Sequence, residues 1–176
     1  MTPLEKYQQD LKRADFHYDA AQEDAVKQLQ RLFDDYIKRP QHKPNLWQRL
    51  RGKVVSPQPL LGLYFWGGVG RGKTYLVDTF YECLPGNRKL RVHFHRFMHR
   101  VHEELKQLKG VSDPLEKVAD NFKAQTDIIC FDEFFVSDIT DAMILGTLMQ
   151  ALFARGITLV ATSNIEPDGL YRNGLQ

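Results

Sequence analysis

Eight consecutive residues, Gly67-Gly68-Val69-Gly70-Arg71-Gly72-Lys73-Thr74, restrict the possible folds of this chain more than any other stretch. They fit the pattern G-x-x-x-x-G-K-[ST]. They stand between the apolar residues 60–66 and a helical repeat of Leu76, Val77, Phe80 and Leu84. A loop of this kind needs a strand before it and a helix after it. Its glycines let the backbone curl around phosphate oxygens without Cβ clashes. The helix start adds free N–H groups and the positive end of its dipole. Lys73 is suited to the β and γ phosphates of a nucleoside triphosphate, and the Thr74 hydroxyl to its Mg2+. Gly67, Gly68, Val69, Gly70, Arg71, Gly72, Lys73, Thr74 and the adjoining Tyr75 are therefore candidate nucleotide contacts, with ATP and Mg2+ as the expected ligands.

The rest of the chain extends this strand–helix alternation. Residues 73–84 form a helix stopped by Pro85-Gly86, and 90–94 a second strand. Residues 95–109 form a helix closed by Gly110, and Asp113-Pro114-Leu115-Glu116 opens another, to about Ala124. A third strand, 127–131, ends on an acidic pair. Asp138 or Thr140 caps a helix to Arg155, and a fourth strand spans 157–161. This order predicts an α/β fold, a parallel sheet with flanking helices joined by right-handed crossovers. Ahead of it, Thr2-Pro3-Leu4-Glu5 starts a helix to about Arg13, and Asp19 with Gln22 starts another to about Lys38. Residues 39–59 hold four prolines and read as a loop with one turn at 46–50. The expected organisation is N-terminal helices and a basic loop over 1–59, then a P-loop core over 60–176.

Ligands of such sheets bind at the carboxyl ends of the strands. Besides the glycine-rich loop, two polar groups fall there. Asp132 and Glu133 close the third strand; Asp132 is suited to hold Mg2+ through water, and Glu133 to orient and deprotonate an attacking water. Asn164, after Thr162-Ser163, offers a side-chain amide suited to touch the γ-phosphate and position that water, with a loop asparagine in a turn as the plainer alternative. With Lys73, Glu133 and Asn164 form the candidate catalytic set. A glutamate after the aspartate favours hydrolysis over transfer to an acceptor.

The phosphate loop, the block Phe-Asp-Glu-Phe-Phe-Val-Ser-Asp-Ile-Thr-Asp-Ala-Met, the stretch Ala-Thr-Ser-Asn-Ile-Glu-Pro-Asp-Gly-Leu-Tyr and Val92-His93-Phe94-His95-Arg96-Phe97-Met98 carry a family likeness. Over essentially its whole length the chain resembles the ZapE family of bacterial cell-division ATPases, whose mitochondrial relatives are the Afg-type ATPases. The resemblance implies an AAA+-like ATPase acting in cell division at the septum, destabilising FtsZ polymers with ATP. It implies Lys73 and Thr74 as phosphate and Mg2+ residues, Asp132 and Glu133 as the acidic motif, and Asn164 as the first sensor. Residues 16–22 lie where such proteins read adenine, which makes Gln22 or Tyr18 a candidate base contact; helix capping by Asp19 and Gln22 is the simpler account. An AAA+ core also carries a fifth strand, an arginine finger and a helical lid. None follows here, so a C-terminal truncation is expected, with Arg172 the one arginine after Asn164. Self-association through the nucleotide site is a further expectation.

Composition limits the other classes. A net charge of +2 does not mark a nucleic-acid binder, and a nucleic-acid partner is not expected. No apolar run approaches 18 residues, so no stable membrane insertion is expected. The two cysteines, Cys83 and Cys130, suit a reducing, cytoplasmic location. Residues 38–53 hold six Lys/Arg and no acid, with Trp47 among them. A solvated basic loop is the simplest account, and the alternative is a helicase-loader-like, nucleotide-gated adaptor gripping DNA through that loop. His95, His99 and His102 share a helix face that suits a transition metal, although surface histidines are the simpler account.

Overall fold

The computed structural model describes residues 1–39, 60, 62–66 and 71–163. Its element order is α1 Pro3–Asp10, α2 Ala20–Lys38, β1 Leu63–Trp66, α3 Arg71–Cys83, β2 Lys89–His93, α4 Phe94–Gln107, α5 Pro114–Gln125, β3 Ile128–Asp132, α6 Ile139–Ala154 and β4 Thr158–Ser163. The four strands form one sheet in the order β1-β4-β3-β2, with every pair parallel. The predicted α/β class and the two preceding helices are therefore present.

Strand order dictates the layers. The path from β1 to β2 crosses the sheet one way, and the path β2–β3–β4 returns. With right-handed crossovers, α3 must cover one face and α4, α5 and α6 the other. The side chains agree. Alternate residues of β3 point to opposite faces. Ile128 and Cys130 pack with Leu76, Val77 and Phe80 of α3. Ile129 and Phe131 pack with Phe97, Val101, Phe122, Leu148 and Leu152. The second face is rich in rings: Phe97 lies 5.0 Å from Phe122 and 4.7 Å from Phe131, centroid to centroid. Helices α1 and α2 join the α3 face, where Tyr7, Val26, Leu29, Leu32 and Phe33 share one buried cluster with Val77, Phe80 and Val160.

Helix ends follow the capping chemistry in three of the four predicted cases. Thr2 accepts from the Glu5 amide, Asp19 from the Ala21 amide, and Asp138 from the Thr140 amide at 2.6 Å. Asp113 departs from the prediction. It adopts a left-handed φ of 51, away from the extended backbone of a capping residue, and makes no side-chain capping bond. The turn closes through backbone instead, from the Glu116 amide to the Asp113 carbonyl at 3.1 Å. Helix α1 also ends at Asp10 rather than Arg13, because residues 11–16 go into successive turns. Strand β1 begins at Leu63 rather than residue 60. No helix among the described residues is long and apolar enough to cross a membrane.

Candidate functional site

All four strands end at the same edge of the sheet, and the start of α3 lies over that edge. Lys73 fixes the relation: its ammonium donates to the Ser163 carbonyl, the last residue of β4, at 3.0 Å. Burial lowers the Lys73 pKa from its ordinary value. The Ser163 hydroxyl donates to the Phe134 carbonyl at 2.6 Å, and the Phe134 amide donates to the Thr162 carbonyl at 2.8 Å. The segment after β3 is thus stitched to the end of β4, directly beneath the lysine.

The two acids at the end of β3 diverge. Asp132 is half-buried and accepts from Arg91, Nε to Oδ2 at 2.8 Å and Nη2 to Oδ1 at 3.2 Å. Arg91 also bonds Asp78 of α3. Glu133 leaves the strand at φ 54, a left-handed conformation uncommon outside glycine. Its carboxylate is 76% exposed and lies 3.8 Å from Nδ1 of His93 at the end of β2. Such backbone strain at a strand end is often found where a side chain must be aimed. Here it separates a cation-held carboxylate from a solvent-facing one.

Of the residues singled out in the sequence, Gly72, Lys73 and Thr74 occupy the first turn of α3, where backbone amides lack helical partners. Arg71 begins that helix. Gln22 comes from the first turn of α2 and reaches Gly72: a Cβ on that glycine would sit 3.1 Å from the Gln22 side-chain nitrogen. Gln22 thus stands against the phosphate-loop end. Tyr75 turns the other way, with its hydroxyl donating to Asp10 at 2.6 Å and its ring 5.1 Å from Phe16. Tyr18 is exposed and bonds Glu23. Gly67, Gly68, Val69, Gly70, Asn164, Arg172 and the basic segment 40–53 with Trp47 lie outside the described residues. Among the described residues no group of three or more His, Cys, Asp or Glu side chains is placed to hold a metal, and His102 instead pairs with Asp141 at 2.6 Å.

The residues present fit Mg2+ with a triphosphate. The Thr74 hydroxyl and the Asp132 carboxylate are hard oxygen donors, and a site with a single carboxylate is what Mg2+ uses when phosphates supply further ligands. A Cβ on Gly72 would press on the flexible end of the Gln22 side chain. Arg91 was missed in the sequence. Its signal was the alternation in β2, where Lys89, Arg91 and His93 share one face and Leu90 and Val92 the other.

Strand order, parallel sense and flanking helices define an AAA+-like P-loop fold. Domain III of the Thermotoga maritima replication initiation protein DnaA superposes over 88% of this chain and 56% of its own, with TM-score 0.59 at 18% identity. AMPPCP-bound DnaA from Aquifex aeolicus superposes over 89% of this chain and 42% of its own, with TM-score 0.56 at 17% identity. The chain belongs to the AFG1-like ATPase family, whose model matches residues 1–176. It is 57% identical to the cell division protein ZapE of Escherichia coli over 100% of its own length and 49% of that protein. The chain thus spans about half the length of the curated relatives it matches.

Proposed function

We propose that this chain is the nucleotide-binding part of a Mg2+-dependent ATPase of the AAA+ type that acts in bacterial cell division and destabilises FtsZ polymers in the presence of ATP. The reading rests on one observation above all: Lys73, at the glycine-led start of α3, lies across the end of β4 while Asp132 closes the neighbouring β3. Membership of the AFG1-like ATPase family and 57% identity to a cell division protein support it. On this reading the protein works in the cytoplasm, with recruitment to the septum.

Placement supports a role for each described residue. The Lys73 ammonium, which donates to the Ser163 carbonyl, could exchange that bond for phosphate oxygens. The first-turn amides of α3 face the same region and carry the positive end of the helix dipole. Thr74 and Asp132 would hold Mg2+, which supplies charge neutralisation of the phosphates. Glu133, exposed and paired with no lysine or arginine among the described residues, suits a base that takes a proton from water. Gln22 brings α2 to the phosphate-loop end and thereby ties the N-terminal helices to nucleotide binding. Asn164 and residues 67–70 complete the proposed site.

Two variants test the reading. Lys73→Ala should abolish calorimetric binding of ATP, and Glu133→Gln should retain binding while cutting phosphate release by about a hundredfold or more. Equal affinity in the Lys73 variant would overturn the nucleotide site. For the division role, sedimentation of FtsZ polymers should fall when the protein and ATP are both present, and not with a non-hydrolysable analogue. Unchanged polymer mass with an active ATPase would remove FtsZ as the target.

A further inference from the structure

Arg91 takes no part in the phosphate or water chemistry, yet it occupies the centre of the acidic edge. The long side chains on its face of β2 all run under α3. Lys89 donates to the carbonyls of Tyr81 and Leu84 and so closes the helix end. Arg91 runs to the middle of the helix. Its guanidinium spans two carboxylates, both oxygens of Asp132 on β3 and one of Asp78 on α3. Asp78 lies one helical turn beyond Thr74. The Arg91 side chain is 23% exposed, and the Asp78 and Asp132 side chains 45% and 15%.

This arrangement is more than a brace between strand and helix, because one of the two acids is the proposed metal residue. Two carboxylates and one guanidinium leave a single net negative charge. A divalent cation arriving alone meets a fixed positive charge already bonded to both oxygens of its carboxylate. A cation arriving with a triphosphate brings several negative charges with it, and the guanidinium then has a second carboxylate on which to remain.

We infer that Arg91 is the resting counterion of the metal site: it pairs with and orients Asp132 while the site is empty, and cedes it, keeping Asp78, only to a cation delivered together with nucleotide. The inference rests on the proposal that Asp132 is the metal residue. Its consequence is discrimination. Free divalent cation binds poorly, and the metal–nucleotide complex binds well.

The test uses Mn2+ as the probe, with free Mn2+ followed by electron paramagnetic resonance, alone and with the analogue AMPPCP. The wild type should bind Mn2+ weakly alone and far more tightly with the analogue. Arg91→Met should tighten Mn2+ alone by about tenfold, the effect of one unit charge at this range in a partly hydrated site. It should change binding with the analogue much less. Asp78→Asn should weaken Mn2+ alone, because Arg91 is then left to Asp132, and Arg91→Lys should fall between wild type and Arg91→Met. Weaker or unchanged Mn2+ binding in Arg91→Met, with circular dichroism of a folded protein, would reduce Arg91 to a structural brace. If Arg91→Met does not fold, Asp78→Asn and Arg91→Lys decide in the same directions. Asp132→Asn separates the two levels. No loss of Mn2+ binding with the analogue in that variant would overturn the metal assignment and this inference with it. A clear loss, with flat Arg91 and Asp78 series, would overturn this inference alone.

Discussion

Asp127, at the opposite end of β3 from Asp132, is enclosed by cations from three elements. Arg39 follows α2, Arg88 precedes β2, and Lys123 lies one turn earlier on α5, at 3.0, 2.9 and 2.7 Å. Burial alone would raise this carboxyl; the hydrogen bonds from Arg88 and Lys123, with the charge of Arg39, hold it well below the usual carboxylate range. A carboxyl lowered on folding contributes stability that is present above its unfolded value, about 4, and is lost as pH falls toward its folded value. Asp127→Asn should therefore cost about 1–3 kcal/mol at neutral pH. Thermal melts between pH 3 and 7 should show the wild type losing stability below about pH 4 and the variant losing less. A parallel pH dependence in both proteins would remove Asp127 as the source. The contrast with Asp132 is instructive. Both are strand-end aspartates held by arginine, but only the second has a lysine and a threonine of a helix start beside its strand.

At the scale of elements, β1 carries the phosphate loop and must lie tightly on β4. Gly62, just before β1, makes this possible: a Cβ there would stand 2.2 Å from the Leu159 carbonyl oxygen. The atom it would strike is backbone, so the strand itself must move. Gly62→Ala should cost more than the roughly 1–3 kcal/mol of ordinary overpacking, and in whatever folds it should weaken ATP binding along with stability. Calorimetry and a urea melt on the same sample would check the pairing; intact affinity in a destabilised protein would dissociate β1 position from the loop. Much at this scale was legible in advance. Apolar runs of strand length between helical repeats marked every described strand, and Thr2, Asp19 and Asp138 announced their caps. Strand order was not, because pairing of β1 with β4 depends on contacts nearly a hundred residues apart. Asp113 misled because its left-handed backbone is not the extended conformation in which a carboxylate caps a helix. Lys73, Thr74 and Asp132 stood out because their chemistry is local to short patterns, whereas Arg91 matters only through partners on two other elements.

The molecule as a whole is held by α1 and α2 more firmly than a boundary near residue 59 suggests. Leu32 is fully buried and Tyr7 nearly so, in the same cluster as Val77, Phe80 and Cys130. Thermal unfolding should accordingly show a single calorimetric transition with equal calorimetric and van't Hoff enthalpies. Leu32→Ala should lower that one transition, at a cost of about 2–5 kcal/mol, without splitting off an early step. Two resolved transitions would mean that the N-terminal helices unfold on their own. The chain's two thiols turn this architecture into a ruler. Cys130 is fully buried mid-strand, its thiol pushed up to about 12 by burial, while Cys83 is half-buried at the end of α3. An alkylating reagent can reach the first only when the sheet itself opens, and the second through fraying of one helix. The ratio of their modification rates thus reads local against global opening in the untouched protein. A nucleotide that clasps α3 onto the sheet edge should slow Cys130, leaving Cys83 to fray at its own pace.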